Sequence, residues 1–366
     1  MKIIHTEASK GWGGQEIRIL KEALGMRERG YDIIFITECG AVLNEKAKKN
    51  NFKSYCVSFN KRSWVFSFFK LLKIFKKEKA DIINTHSSLD AWIAGITARV
   101  ANIPIIRTRH LSAKVRKGIN SKIVYNYLAD FVITTCAKII PMLSNQSKKS
   151  LKFFRSIPTG IDTNEIKTKS EEVLSFRKKY NIKSSDTLIG MVCFMRSWKG
   201  IEDFFKAAYH LKDEQNLRWM IIGEGHIETY KQKAKDYQVD GKIIFTGHIE
   251  KPYNAIAALD IFSLLSTANE GVSQASLQAA FLKKPLITTS TGGLDEVCLD
   301  GKTGFIVSLF SYKEVSKAIL KLQKNAEMRK KFGENAHQLV LKKFTHLKML
   351  DDVESIYQKC KIKKNI

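Results

Sequence analysis

The chain has 366 residues, a net charge of +26, 44% hydrophobic residues and 27% charged residues. That length exceeds one ordinary core and suits two domains of similar size, and the composition excludes a collagenous, low-complexity or disordered chain. No stretch approaches the ~18 uninterrupted apolar residues of a spanning helix, and the opening Met-Lys-Ile-Ile-His-Thr-Glu-Ala is charged too soon for a secretory signal.

The charge is uneven. Residues 1–160 carry 29 Lys and Arg against 11 Asp and Glu, net +18, while the rest carry 33 against 25, net +8. Such a field draws anionic lipid, nucleic acid or a phosphorylated substrate. Nucleic acid is not expected as a partner, because no sheet motif interleaves aromatic and basic residues. The six cysteines (Cys39, Cys56, Cys136, Cys193, Cys298, Cys360) are scattered and form no Cys-x-x-Cys pair. They read as buried small hydrophobes in a reducing compartment, neither metal ligands nor disulfides.

In chain order, Lys2–Thr6 reads as a strand, Gly11-Trp12-Gly13-Gly14 as a loop and Gln15–Arg29 as a helix stopped by Gly30. Strands follow at Asp32–Thr37, Ser54–Val57, Asp81–Thr85, Ile105–Thr108 and Phe131–Thr134, with Ile157–Pro158 near the end of the first half. Between them, Lys61–Lys79 is a basic amphipathic helix. Trp64, Phe68, Leu71, Leu72 and Phe75 form its apolar face, and Ser67, Lys70, Lys73 and Lys77 the other. It reads both as a helix covering the sheet and as a membrane-facing element, with Trp64, Val65 and Phe66 in the headgroup layer beside Lys70, Lys73 and Lys77. Lys114, Arg116, Lys117 and Lys122 extend the same basic surface. The second half repeats the rhythm at Leu188–Phe194, Arg218–Gly223, Lys242–Thr246, Ile261–Leu265, Pro285–Thr289 and Phe305–Val307, and Leu347–Lys361 is a last amphipathic helix. Strand–helix alternation of this kind implies parallel sheets covered on both faces.

The segment from Asn269 to Gly304 is the most specific in the chain. Glu270 opens a loop, Gly271, Val272, Ser273 and Gln274 can offer unpaired N–H groups at a helix start, and Gln278 lies two turns on. A carboxylate before a phosphate seat and an amide behind it suit a nucleotide sugar. Glu270-Gly271, Lys284-Pro285, Gly292-Gly293-Leu294-Asp295-Glu296 and Asp300-Gly301-Lys302-Thr303-Gly304 follow in order. Together they resemble the retaining glycosyltransferases of the large GT-B family four. The chain departs from that pattern at Gln278, where the family has a second Glu, and at Lys284, where it has a glycine.

The resemblance implies an α/β, GT-B fold: two Rossmann-like domains with parallel sheets facing across a cleft. The expected division is 1–160 for an acceptor domain, 161–345 for a donor domain, and 346–366 for a helix packing back on the first domain. Gly13-Gly14-Gln15-Glu16 matches the family's first loop, whose glycines let the backbone approach the donor phosphate; Glu16 stands where a nicotinamide fingerprint needs glycine. His86 and His110 follow strands, as does Arg109. His110 is expected beside the reacting sugar, and His86 and Arg109 in the acceptor pocket. Lys199-Gly200 matches the family's diphosphate clamp, but Phe194 stands where the clamp has arginine, and Arg196 is the expected substitute. Gly223 and His248 complete the donor residues.

The expected activity is retaining transfer of a sugar from a nucleotide-diphosphate sugar to a lipid-linked glycan, in lipopolysaccharide or cell-envelope polysaccharide synthesis. Lys199, Arg196 and backbone donors stabilise the leaving diphosphate, and Glu270 and His110 hold the sugar. No cofactor and no metal are expected. The expected location is cytoplasmic, peripheral on the inner face of the cytoplasmic membrane with its anionic surface. The rival, favoured by Phe194, is a degenerate GT-B protein that binds nucleotide or membrane without turnover.

Overall fold

The computed structural model describes residues 1–110 and 118–364, so Lys114, Arg116 and Lys117 lie outside the described residues. The chain divides into two compact units: Met1–Thr159 together with Met349–Ile366, and Gly160–Lys348.

In the first unit the strands are β1 (Lys2–Glu7), β2 (Asp32–Thr37), β3 (Lys53–Cys56), β4 (Ile82–Thr85), β5 (Ile105–Arg109), β6 (Phe131–Thr134) and β7 (Phe154–Ser156). They form a parallel sheet in the order β3-β2-β1-β4-β5-β6-β7, with Ile3 opposite both Ile33 and Ile82. Consecutive isoleucines serve opposite faces. Ile3, Phe35, Ile106 and Ile133 pack under the first helix, Gly14–Glu28, and the last helix, His346–Lys364. Ile4, Ile34, Ile83 and Ile105 pack with Leu71, Phe75 and Ile93 on the other side. Burial on both faces is why these strands read as continuous apolar runs.

The last strand lies earlier than the expected Ile157–Pro158. The ladder runs over Phe154–Ser156 and Ile157 N–H still donates to the Thr134 carbonyl (2.8 Å), but Pro158 has no N–H to continue it. The disulfide expectation is also corrected: Cys39 and Cys56 are bonded, with Cα atoms 4.9 Å apart. Pairing of β2 with β3 sets Thr37 opposite Cys56 and brings the two together, which linear spacing does not reveal. The other four cysteines are buried and form no disulfide.

The last helix buries Met349, Leu350, Val353, Ile356, Tyr357 and Cys360 in the core of the first unit. Leu347, expected on that face, is 67% exposed in the first turn, before the helix enters the unit. A buried polar thread accompanies this packing. Tyr357 donates its hydroxyl to Glu22 (3.0 Å), Glu22 lies 3.8 Å from the Arg18 Nε, and Arg18 donates to the Ile157 carbonyl (2.6 Å).

In the second unit β8 (Thr187–Val192), β9 (Leu217–Ile222), β10 (Ile243–Phe245), β11 (Ile261–Leu264), β12 (Leu286–Thr289) and β13 (Gly304–Val307) form a parallel sheet in the order β10-β9-β8-β11-β12-β13. Trp219 on β9 and Phe204 are buried edge to face at 4.9 Å. The strand order thus reverses once in each sheet, between β1 and β4 and between β8 and β11. Such a reversal opens a crevice at the carboxyl ends of the flanking strands.

Because Glu22 is fully buried, removing its donor leaves a carboxylate oxygen unsatisfied. Tyr357→Phe should destabilise the protein by about 1–3 kcal/mol, read as a lower urea midpoint at unchanged slope.

Candidate functional site

At the β8/β11 reversal, Lys199 follows β8 and Glu270 follows β11, and the Lys199 ammonium is ion-paired with the Glu270 Oε1. Ser266 donates to the same oxygen (2.7 Å), and Thr289 donates to the Ser266 carbonyl (2.6 Å), so the carboxylate is held from β8, β11 and β12 together. Glu270 is 6% exposed and Lys199 half-buried. Gly292 is required beneath them: its φ is +59°, and a Cβ there would lie 1.7 Å from the Glu270 carbonyl oxygen. Ser266 was not singled out from the sequence. The signal was a polar run, Ser266-Thr267, at the end of an apolar strand.

The loop then enters the helix Gln274–Phe281, capped by Ser273, whose hydroxyl accepts from Ser276 N–H (3.3 Å). Val272 is buried, Gly271 and Gln278 are half-buried and Gln274 is exposed. The Lys284 ammonium, at the departure from the family glycine, donates to the Ala257 carbonyl (2.6 Å) and ties this helix region to its neighbour.

Arg196 is the residue expected to substitute for the missing arginine. It is exposed, and its guanidinium lies 4.9 Å from the Phe194 ring and 5.2 Å from the Trp198 ring. The three side chains edge a cavity of about 590 Å³ shared with His226, Tyr230 and Lys233, and cation–π contact holds the arginine there. Gly223 serves packing: its φ is +139°, and a Cβ would lie 2.0 Å from the Cys193 carbonyl oxygen. His248 is exposed, 3.5 Å from Glu224.

At the β1/β4 reversal the first unit gathers a different set. His5 Nδ1 lies 2.8 Å from His86 Nε2, and His86 Nδ1 lies 2.9 Å from His110 Nε2, so three imidazoles run in a line across the ends of β1, β4 and β5. His86 is buried and His110 half-buried. Burial takes His5 down to about 3. Burial, and then the neighbouring imidazoles and the Arg107 and Arg18 guanidiniums, holds His86 well below the ordinary imidazole range. For His110 burial acts first, then Arg18 and Arg107. Among the described residues no group of three His, Cys, Asp or Glu is set to hold a metal ion.

Asp90 fixes this end of the sheet. Its carboxylate accepts from Thr6 Oγ1 (2.7 Å), His86 N–H (2.8 Å), Ser87 N–H (2.8 Å) and Ser87 Oγ (2.7 Å). On β5, Arg107 is buried, 4% exposed, and Arg109 is half-buried and donates to Tyr125 Oη (3.0 Å). Gly13 is half-buried and Gly14 exposed at the first helix start, where Glu16 Oε2 accepts from Gly13 N–H (2.9 Å). His5, Glu7 and Asp90 were missed; the signal for the first two was the polar run His5-Thr6-Glu7 closing an isoleucine strand.

The basic helix is realised as Trp64–Glu78. Ser67 belongs to its buried face, donating to the Ser58 carbonyl (2.6 Å). Trp64 is half-buried, its indole N–H donates to the Phe59 carbonyl (3.1 Å), and its ring lies against Trp92. Of the three residues expected outward, Val65 and Phe66 are exposed, Phe66 at 82%, and Phe69 joins them in place of Trp64. Lys70, Lys73 and Lys77 are exposed beside them.

Two family models match the chain: one described as Glycosyltransferase Family 4 over residues 12–165, and one described as Glycosyl transferases group 1 over residues 173–339. The chain is 24% identical over 348 residues to the N-acetyl-alpha-D-glucosaminyl L-malate synthase of Bacillus anthracis, covering 91% of this chain and 90% of that one. It is 23% identical over 309 residues to the UDP-Gal:alpha-D-GlcNAc-diphosphoundecaprenol alpha-1,3-galactosyltransferase of Escherichia coli, covering 80% and 78%. The crystal structure of Anabaena HepE in complex with UDP matches with a TM-score of 0.86 at 16% identity, over 98% of this chain and 100% of that one, a likeness of fold.

Glu7 gives this region a pH dependence. Burial, then the Asp90 charge, then Glu16, pushes its carboxyl from 4.5 up to about 7, against hydrogen bonds from Ser9 and Gln15. The folded state therefore holds the proton more tightly than the unfolded chain, and stability falls as pH rises between those values and stays reduced above. Glu7→Gln should gain stability relative to the native protein from pH 5 to pH 8, by on the order of 3 kcal/mol at most. A pH-independent difference in urea unfolding would contradict the assignment.

Proposed function

Since this chain belongs to the group 1, family 4 glycosyltransferases and is a transferase with the GT-B fold, we propose that it moves a sugar from a nucleotide-diphosphate donor, with retention of configuration and without a metal, to a lipid-linked glycan in cell-envelope polysaccharide or lipopolysaccharide synthesis. The observation that carries the reading is the Lys199–Glu270 pair with Ser266 at the β8/β11 reversal. A half-buried ammonium paired to a carboxylate can release it for a diphosphate, and the freed carboxylate can accept from sugar hydroxyls. The ammonium and the N–H groups around Gly271–Gln274 supply the countercharge that a metal supplies elsewhere. His110 is assigned to the reacting sugar or acceptor. Relatives named for UDP-Gal and diphosphoundecaprenol, and a neighbour that binds UDP, support the donor and acceptor classes.

The acceptor's lipid is consistent with a peripheral, cytoplasmic-face location. Among the described residues no helix is long and apolar enough to cross a membrane, whereas Val65, Phe66 and Phe69 stand outward among lysines. Such a face enters the headgroup layer and adds electrostatic attraction to anionic lipid. A second reading, nucleotide binding without turnover, is favoured by Phe194 and the stacked Arg196.

Thermal-shift titration with UDP, GDP and ADP tests the donor site. The cognate nucleotide should stabilise by about 2.7 kcal/mol at ~100-fold its Kd, and Lys199→Ala should weaken binding roughly 30- to 150-fold, the equivalent of about 2–3 kcal/mol. No shift with any of the three refutes the transferase site; binding without release of product from nucleotide sugars selects the second reading. For the membrane, Phe66→Ser with Phe69→Ser should weaken co-sedimentation with phosphatidylglycerol vesicles at least about tenfold. Unchanged binding, or binding indifferent to salt, removes this helix from the membrane face.

A further inference from the structure

The imidazole chain has a polarity that its surroundings decide. Each of its two N···N contacts holds one proton, and a neutral imidazole carries one proton in all. Three neutral rings therefore admit two patterns. In the inward pattern His110 donates to His86 and His86 to His5, which leaves an N–H on His5 Nε2. In the outward pattern His5 donates to His86 and His86 to His110, which leaves only a lone pair on His5 Nε2. Among the described residues that atom has no hydrogen-bond partner, and it is buried in a ring 1% exposed and stacked on Phe35 (5.8 Å) and His86 (5.1 Å). A buried N–H without an acceptor is rarer than an under-used acceptor, so the outward pattern prevails.

We propose that His5 and His86 are positioning residues that lock His110 in the tautomer protonated on Nδ1, so that His110 offers the reacting sugar or acceptor a hydrogen-bond donor and not a base. The backbone around the chain is held to match. His5 lies in the β1 ladder, His86 N–H is anchored on Asp90, and the His110 carbonyl accepts from Thr135 Oγ1 (3.1 Å). A charge relay is excluded on the same grounds. A proton taken up at His110 and passed inward would end as an imidazolium on His5, which burial holds neutral down to about pH 3. Arg18 from the first helix and Arg107 from β5 face the other two rings and oppose any added positive charge; Asp90, the nearby carboxylate, is engaged by its four donors.

Histidine-selective nitrogen-15 labelling of the full chain, with multiple-bond proton–nitrogen NMR, reads each tautomer directly. His110 and His86 should show a protonated Nδ1 and an unprotonated Nε2, unchanged between about pH 5 and 8. His110 protonated on Nε2, or titrating near its ordinary value of about 6.5, overturns the proposal. His86→Asn places an amide N–H near the former Nδ1 and should keep the His110 signature. His86→Phe removes the donor and should let His110 shift toward the Nε2-protonated form and titrate. UDP release from a panel of UDP-hexoses should then fall about 10- to 100-fold in kcat, the range seen when an orienting partner is lost, with KM little changed. A His86→Phe protein with the native tautomer and native turnover overturns the lock; if that variant does not fold, the native and His86→Asn spectra decide. The proposal rests on the assignment of His110 to the reacting sugar. The expected spectra together with undiminished turnover in His110→Ala would overturn that assignment and leave the tautomer lock standing.

Discussion

Both candidate clusters exist because a parallel sheet built outward in two directions must reverse its strand order once. At the reversal the connecting helices leave on opposite faces, and the carboxyl ends of the two flanking strands are left uncovered. Side chains there stand on the strand ends or on the turns that follow them. In the first unit the residues so placed are His5 and His86, continued by His110 on the next strand. In the second they are Lys199 and Glu270.

The two crevices solve the cost of polar groups in a low-dielectric place differently. The first keeps its imidazoles neutral. A charge on any of them would be desolvated and would face the Arg18 and Arg107 guanidiniums. Its carboxylate, Asp90, stays in place through four donors and the field of the Arg107 guanidinium. The second keeps its charges and pairs them at the protein edge, with Lys199 half-buried so that the pair can exchange partners. A fully buried pair would lose more to desolvation than it gained and would not open for a ligand. A rigid donor array and a labile ion pair are different tools, suited to orienting a sugar and to receiving a leaving phosphate.

The same burial tempers the meaning of the net charge. Part of the basic excess of the first half is not a surface field: Arg18 is fully buried and Arg107 nearly so. Lys70, Lys73 and Lys77 do remain outward, where they flank Val65, Phe66 and Phe69. The helix Trp64–Glu78 can do this because Leu71, Ile74 and Phe75, with Trp64 and Phe68 against them, already satisfy the core, leaving Val65, Phe66 and Phe69 free of that duty.

The strands and helices were legible in the sequence because each is written locally: isoleucine runs for doubly covered strands, a 3.6-residue period for helices, and glycines at turns. The family was legible in the Glu270–Gly304 motifs, two of which are structural, since Gly292 makes room for the Glu270 carbonyl and Asp300 accepts from Ile306 N–H (2.9 Å) to shape the turn before β13. Pairings between distant strands were not legible. Cys39 with Cys56, Ser266 with Glu270, and His5 with His86 and His110 are set by strand order and register, which no local pattern encodes. The direction of side chains on shared elements was likewise decided only by packing: Arg107 buried and Arg109 to Tyr125, Phe69 outward and Trp64 onto Phe59, Arg196 onto Phe194. Sequence by itself determined which residues stand at the strand ends, because that follows from short-range propensity. Tertiary structure alone decided which of them meet and in what protonation state, because both depend on neighbours far away in the chain and on the water they exclude.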